Sequence, residues 1–184
     1  MAVQPNGSFK LERRITTSMK YLILISLLLQ QVSFSQSTLK TIERNGYSIS
    51  YPSTLRLDET GKNSTEFSLY TEKKDANDNF IENINLMIQD LKGLNIDLNK
   101  FVELTENQIA NAGKLISNER IKKNNIEYQV MIYEAKMRGF DLKFLQYDFV
   151  KNEKAYFITY SAKKDEFDDY FKQMQEIMNS FKFN

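Results

Sequence analysis

The hydrophobic and polar positions of this chain follow two different patterns. Leu22-Ile23-Leu24-Ile25-Ser26-Leu27-Leu28-Leu29 is nearly unbroken in apolar character, follows the cationic start Met19-Lys20-Tyr21, and leads to Ser33-Phe34-Ser35. Nothing polar alternates within this run, as an amphipathic core helix requires. It is also far shorter than the roughly 18 to 20 residues needed to cross a bilayer. A cationic start, a short apolar run and small residues at Ser33 and Ser35 make a secretory signal peptide over 19–35, cleaved before Gln36.

Beyond Asn45-Gly46 the period changes to two. Tyr47-Ser48-Ile49-Ser50-Tyr51 predicts a strand stopped by Pro52, which has no N–H to give a ladder. Glu66 to Thr71 predicts a second strand, with Phe67 and Leu69 on one face, and Asn83 to Asp90 a third, with Ile84, Leu86 and Ile88 on one face. Between Asp97 and Ala112 the apolar positions recur at spacings of one, three and four. Asp97 is a fitting N-cap and Gly113 stands just past the end, so a helix covering a sheet is predicted. Four strands follow, near 115–121, 126–137, 142–151 and 155–162. Their turns at Lys123-Asn124-Asn125, Arg138-Gly139 and Lys151-Asn152-Glu153 have hairpin spacing. The middle strands are partly apolar on both faces, which requires cover on both sides. A last helix supplies one cover: Asp165 is read as its cap, and Phe167, Tyr170, Phe171, Met174, Ile177, Met178 and Phe181 form its apolar stripe.

The fold class predicted is therefore α+β, a three-layer α/β/α sandwich around one mainly antiparallel sheet. The organisation read from the sequence is an N-terminal extension over 1–18, the signal peptide over 19–35, a short polar lead over 36–45 and a single domain over 46–184. Met19 is an adequate initiator, and residues 1–18 carry no apolar period. With no Cys in the chain, a lipid anchor on a cysteine after the leader is excluded and the core must suffice without disulfides. The exported product is thus expected to be periplasmic or secreted, with no stable membrane insertion.

Charge narrows the partners. The chain has 25 Lys and Arg against 24 Asp and Glu, and removal of the leader tilts this balance slightly acidic. No basic block is present, which excludes nucleic acid and anionic membrane surfaces as main partners. The absence of His and Cys removes Ser-His-Asp and Cys-His nucleophiles, a histidine base and the usual zinc and copper sites. No phosphate cradle or dinucleotide fingerprint takes their place. No catalytic residue is therefore assigned, and no cofactor is expected.

One loop holds hard oxygen donors. Asp75-Ala76-Asn77-Asp78-Asn79 begins like a calcium-binding loop, but position six is Phe80 where Gly belongs and position twelve is Leu86 where a bidentate Glu belongs. Asp75, Asn77, Asp78 and Glu82 are the candidate Ca²⁺ ligands, against the plainer reading of a solvated turn. The ten Tyr and thirteen Phe fall mostly on faces already assigned to the core.

Four segments, taken in order, resemble the PsbP-like family: Tyr47-Ser48-Ile49-Ser50-Tyr51-Pro52-Ser53, Phe80-Ile81-Glu82-Asn83-Ile84-Asn85-Leu86, Ala155-Tyr156-Phe157-Ile158-Thr159-Tyr160-Ser161-Ala162, and Ile177-Met178-Asn179-Ser180-Phe181-Lys182-Phe183. The resemblance implies the α/β/α sandwich shared by photosystem II extrinsic subunits and a Ran-binding import factor. It does not carry their functions, since the metal-handling residues of that family include His, which this chain lacks. Asn83 and Asn85 carry over as pattern positions and are expected to satisfy backbone groups where the loop enters the sheet.

The leading functional reading is an exported, non-enzymatic accessory domain binding a protein partner at the cell envelope. The alternatives are a small-ligand or Ca²⁺ binding module and, behind it, a hydrolase working through carboxylates. The last requires two acids with displaced pKa values in one concave pocket.

Overall fold

The computed structural model describes residues 38–184, so the expected signal peptide at 19–35 and the expected extension at 1–18 lie outside the described residues. Ten strands and two α-helices follow in the order β1 (Leu39–Arg44), β2 (Tyr47–Pro52), β3 (Arg56–Asp58), β4 (Phe67–Tyr70), β5 (Asn83–Asp90), α1 (Leu98–Ala112), β6 (Gly113–Lys123), β7 (Ile126–Met137), β8 (Phe140–Lys151), β9 (Lys154–Lys163), α2 (Phe167–Asn179) and β10 (Lys182–Phe183). Pairing is antiparallel throughout, and the class is α+β.

The strands form two sheets rather than one. Seven run in the order β3-β4-β5-β9-β8-β7-β6, and three form a separate sheet, β1-β2-β10. The segment read as a polar lead is β1, which lays Ile42 opposite Ile49 of β2. Its other side chains are exposed, so period-two burial was not legible there. The C-terminal pair Lys182-Phe183 closes the other side of β2, which leaves β2 buried at nearly every position and without a free edge for the larger sheet.

The β6 to β9 meander is set by its turns. Asn124-Asn125, Arg138-Gly139 and Asn152-Glu153 all have positive φ at both residues, the backbone that matches a two-residue hairpin to the twist of its strands. Helix α1 is capped as its sequence indicates: Asp97 Oδ1 accepts from Lys100 N–H at 2.8 Å. Gly113 ends it for a different reason from the expected one. Its backbone is extended, and a Cβ there would stand 2.0 Å from the Glu134 carbonyl of the neighbouring strand. Close approach of two backbones, not a left-handed turn, requires the glycine. Helix α2 also departs from expectation, because Glu166 and not Asp165 occupies the cap position, with no side-chain cap bond. The Glu166 carboxylate is engaged by two lysines instead.

The two helices take opposite faces of the larger sheet. Along β9, Tyr156, Ile158, Tyr160 and Ala162 belong to the main core with Phe167, Met174, Ile177 and Met178 of α2 and with β2. Ala155 and Phe157 pack instead with Leu91 and with Phe101 of α1. Ser180, just past α2, clasps β2: its Oγ accepts from Ser50 N–H at 2.9 Å and donates to the Ser50 carbonyl at 3.0 Å. Phe181 stacks on Tyr47 at 5.6 Å. Among the described residues no helix is long and apolar enough to cross a membrane.

Candidate binding site

The four candidate calcium ligands are not brought together. Asp75 and Asn77 stay exposed, with Asp75 Oδ1 accepting the Asn77 N–H at 2.7 Å in a local turn. Asp78 turns inward, accepting from Lys74 N–H at 3.1 Å and from Lys163 Nζ at 3.2 Å. Those bonds, first the Lys74 backbone and then Lys163, hold its carboxyl below the usual range against the opposing effect of burial. Glu82 is fully buried and neither oxygen has a hydrogen-bond partner. Burial, and then the charges of Glu166 and Asp78, push its carboxyl up.

The cations at this loop come from the protein itself. Lys74 Nζ lies 2.6 Å from Glu166 and 3.5 Å from Asp169, while Lys163 Nζ bridges Asp78 and Glu166, each at 3.2 Å. The hydrogen bond from Lys74 holds Glu166 ionised, and burial works against Lys163 without preventing its two carboxylate partners from raising it. Of the four candidate ligands, Asp78 is the one paired with a lysine side chain. Among the described residues no group of three or more acidic side chains is arranged to hold a metal ion.

A second buried acid lies on the other face. Asp148 of β8 is fully buried under α1. Its Oδ1 accepts from Gln146 Nε2 at 2.8 Å, and its Oδ2 has no partner. Burial raises its pKa to about 7, against the opposing effect of the Gln146 and Thr105 side chains. Gln146 Oε1 in turn accepts from the Tyr133 hydroxyl at 3.0 Å. Glu82 acts among the α2-side residues and Asp148 under α1, so the two displaced acids share no cavity, and neither lines an open one.

One open concavity, of about 610 Å³, lies around Asp97, Arg120, Glu127 and Lys151, and another lies on the α1 face. Helix α1 packs over β6, β7, β8 and the Ala155 to Phe157 end of β9 and leaves β4 and the adjoining Asn83, Asn85 and Ser161 part of the sheet uncovered. There a groove of about 590 Å³ opens. Strand alternation builds its floor: Asn83 and Asn85 point away from the buried Ile84 and Leu86, and they register against Ser161 and Thr159 of β9 and against Tyr70 and Ser68 of β4. Amides and hydroxyls of Asn63, Thr65 and Asn79 stand at one rim. Phe80 and Phe140 meet at another with ring centroids 5.5 Å apart, beside Arg138 of the β7–β8 turn. No carboxylate is among the lining residues.

Asn83 fulfils its expected structural role, since Nδ2 donates to the Ile81 carbonyl at 3.0 Å. Asn85 does not. Its side chain makes only a long 3.4 Å contact to Asn83 Oδ1 and otherwise faces the groove. The sequence signal was available: residues two apart on a strand share a face, and this pair shares the one opposite the core. The aromatic rim was not legible, because Phe80 and Phe140 come from separate loops.

The fold is an α+β domain in which a long antiparallel meander carries one helix on each face. That is the PsbP-like fold. The solution structure of cyanobacterial PsbP from Synechocystis sp. PCC 6803 superposes with a TM-score of 0.59 at 13% identity, covering 84% of this chain and 98% of that one. LpqN of Mycobacterium tuberculosis, described as involved in cell envelope biogenesis, gives 0.62 at 13% identity over 82% and 94% of the chains. A Pseudomonas aeruginosa protein of unknown function gives 0.54 at 9% identity over 76% and 93%. No protein-family model matches the chain, and no curated protein matches its sequence.

Proposed function

We propose that this chain is an exported, non-enzymatic binding domain of the cell envelope, an α/β/α sandwich whose binding face is the groove over β4, β5 and β9. The observation that carries this reading is the groove itself, a concavity of the size ligand sites have, about 300 to 1,000 Å³, lined by neutral amides, hydroxyls and aromatic rings together with Ile81, Met87, Met137, Leu142 and Arg138. The displaced acids lie elsewhere, which leaves the groove without the acid–base pair that a carboxylate hydrolase uses. Export rests on the leader pattern at 19–35, and the LpqN likeness is compatible with work at the envelope. The test is a photo-crosslinking residue placed at Asn85 and, as a control, at Lys122, in cells expressing the tagged protein. A specific adduct from Asn85 alone is expected; equal or absent adducts would remove the groove reading.

The envelope protein partner expected from the sequence is a second reading, favoured by the exposed edge. β6 is an outer strand of eleven residues whose register shifts between Leu115 and Ser117, leaving Ile116 46% exposed. An unpaired edge is a template for another chain. An adduct to one reproducible protein from Lys122 would place the partner there.

A further inference from the structure

We propose that the groove binds an oligosaccharide, an inference that rests on its being the binding face. A sugar hydroxyl is both donor and acceptor, and neighbouring hydroxyls on a ring form pairs of that kind. An Asn amide offers one carbonyl acceptor and two N–H donors, so it answers such a pair with one side chain. Asn63 and Asn85 present amides here, and Ser68 and Ser161 add hydroxyls that adjust by rotation. The apolar faces of sugar rings need flat, apolar partners, and the half-buried rings of Phe80 and Phe140 supply them at the rim.

The same lining turns away the other ligand classes. A fatty chain would find Ile81, Met87, Met137 and Leu142, but would leave the Asn and Ser groups of the floor without partners, at a cost for each. A cationic ligand finds no carboxylate among the lining residues. An extended peptide binds sheets mainly by main-chain pairing at a free edge, whereas the groove lies on a sheet face where β4, β5 and β9 have already paired with their neighbours. Single-stranded nucleic acid needs a run of cations along its backbone, and Arg138 is the one charged lining residue.

The experiment is an NMR titration of the isotopically labelled protein, produced from the full chain, with three probes: chito-oligosaccharides, cello-oligosaccharides and soluble peptidoglycan fragments. At least one is expected to shift the amide signals of β4, β5 and β9 around the groove. Asn85→Leu and Phe80→Ala are each expected to weaken that binding by about tenfold, with the melting temperature showing that the variants fold. If a variant fails to fold, the shift map of the unaltered protein decides alone. Shifts confined to other surfaces, or none with any of the three, overturn the saccharide inference. A peptide or fatty acid that shifts the groove signals when the sugars do not would overturn the ligand class and keep the groove as the binding face. Groove signals that answer to none of these, with no crosslink from Asn85, would overturn both.

Discussion

The two faces of the seven-stranded sheet are built from different chemistry. Toward α2, strand residues such as Leu86, Leu145, Ile158 and Tyr160 are essentially inaccessible, and they meet an aromatic and methionine stripe from the helix and the small sheet. Toward α1, the buried strand positions include Gln129, Gln146, Asp148 and Thr159. A pocket of about 310 Å³ opens between part of the helix and the sheet. Burying apolar area stabilises without regard to direction, whereas buried polar groups stabilise only as far as their partners satisfy them. One face therefore carries the larger apolar core, while the other buries polar side chains under α1 and leaves Asn85 open to the groove beside it.

The largest effect expected from this contrast follows removal of an aromatic anchor from the α2 face. Phe167 is 1% exposed and stacks on Tyr160 at 4.9 Å, so Phe167→Ala should cost about 3 to 5 kcal/mol in urea unfolding. Phe101→Ala on α1, beside an existing cavity, should cost roughly half as much, because fewer contacts are lost. Equal costs would mean that the two faces carry the fold equally.

Next is the acid beneath α1. The folded state raises the Asp148 pKa from 3.8 to about 7, so it binds that proton more tightly than the unfolded chain does. The resulting stability is complete below about pH 4 and is lost as pH rises through about 7, by an amount on the order of a few kcal/mol. The raised carboxyl of Glu82 acts in the same direction. Asp148→Asn should therefore stabilise the protein at pH 8 and flatten the fall in stability between pH 4 and 8, as followed by urea midpoints. An unchanged slope would show that Asp148 ionises freely.

A smaller effect is expected at the clasp of the α2 side. Ser180→Ala removes the partners of both backbone groups of Ser50 and should cost about 1 to 3 kcal/mol. The smallest concerns calcium. Because Lys74 and Lys163 already neutralise Asp78 and Glu166, millimolar calcium should leave the melting temperature unmoved. A calcium-dependent rise would show that the lysines give way and that the Asp75 to Glu82 loop is a cation site after all.

Much of this architecture was legible because long meander strands and amphipathic helices announce themselves by period. The Asn-Asn and Arg-Gly turns were readable for the same local reason. The short pieces were not: β1 buries only Ile42, and β3 and β10 have three and two residues, too few to show any alternation. The candidate site divided in the same way. Asn83 and Asn85 could be placed on one face by counting, but Asn85 could be separated from the structural Asn83 only by seeing which backbone carbonyl lay within reach.

Local periodicity and composition thus determined the longer strand and helix segments, the antiparallel meander and the absence of histidine and cysteine chemistry, since each depends only on neighbours along the chain. Tertiary structure alone decided the division into two sheets, the pairing of Asp78 with Lys163, and the gathering of Asn85, Phe80 and Phe140 around one groove. Those outcomes depend on contacts between residues far apart in sequence, and no repeating pattern in the chain encodes such contacts.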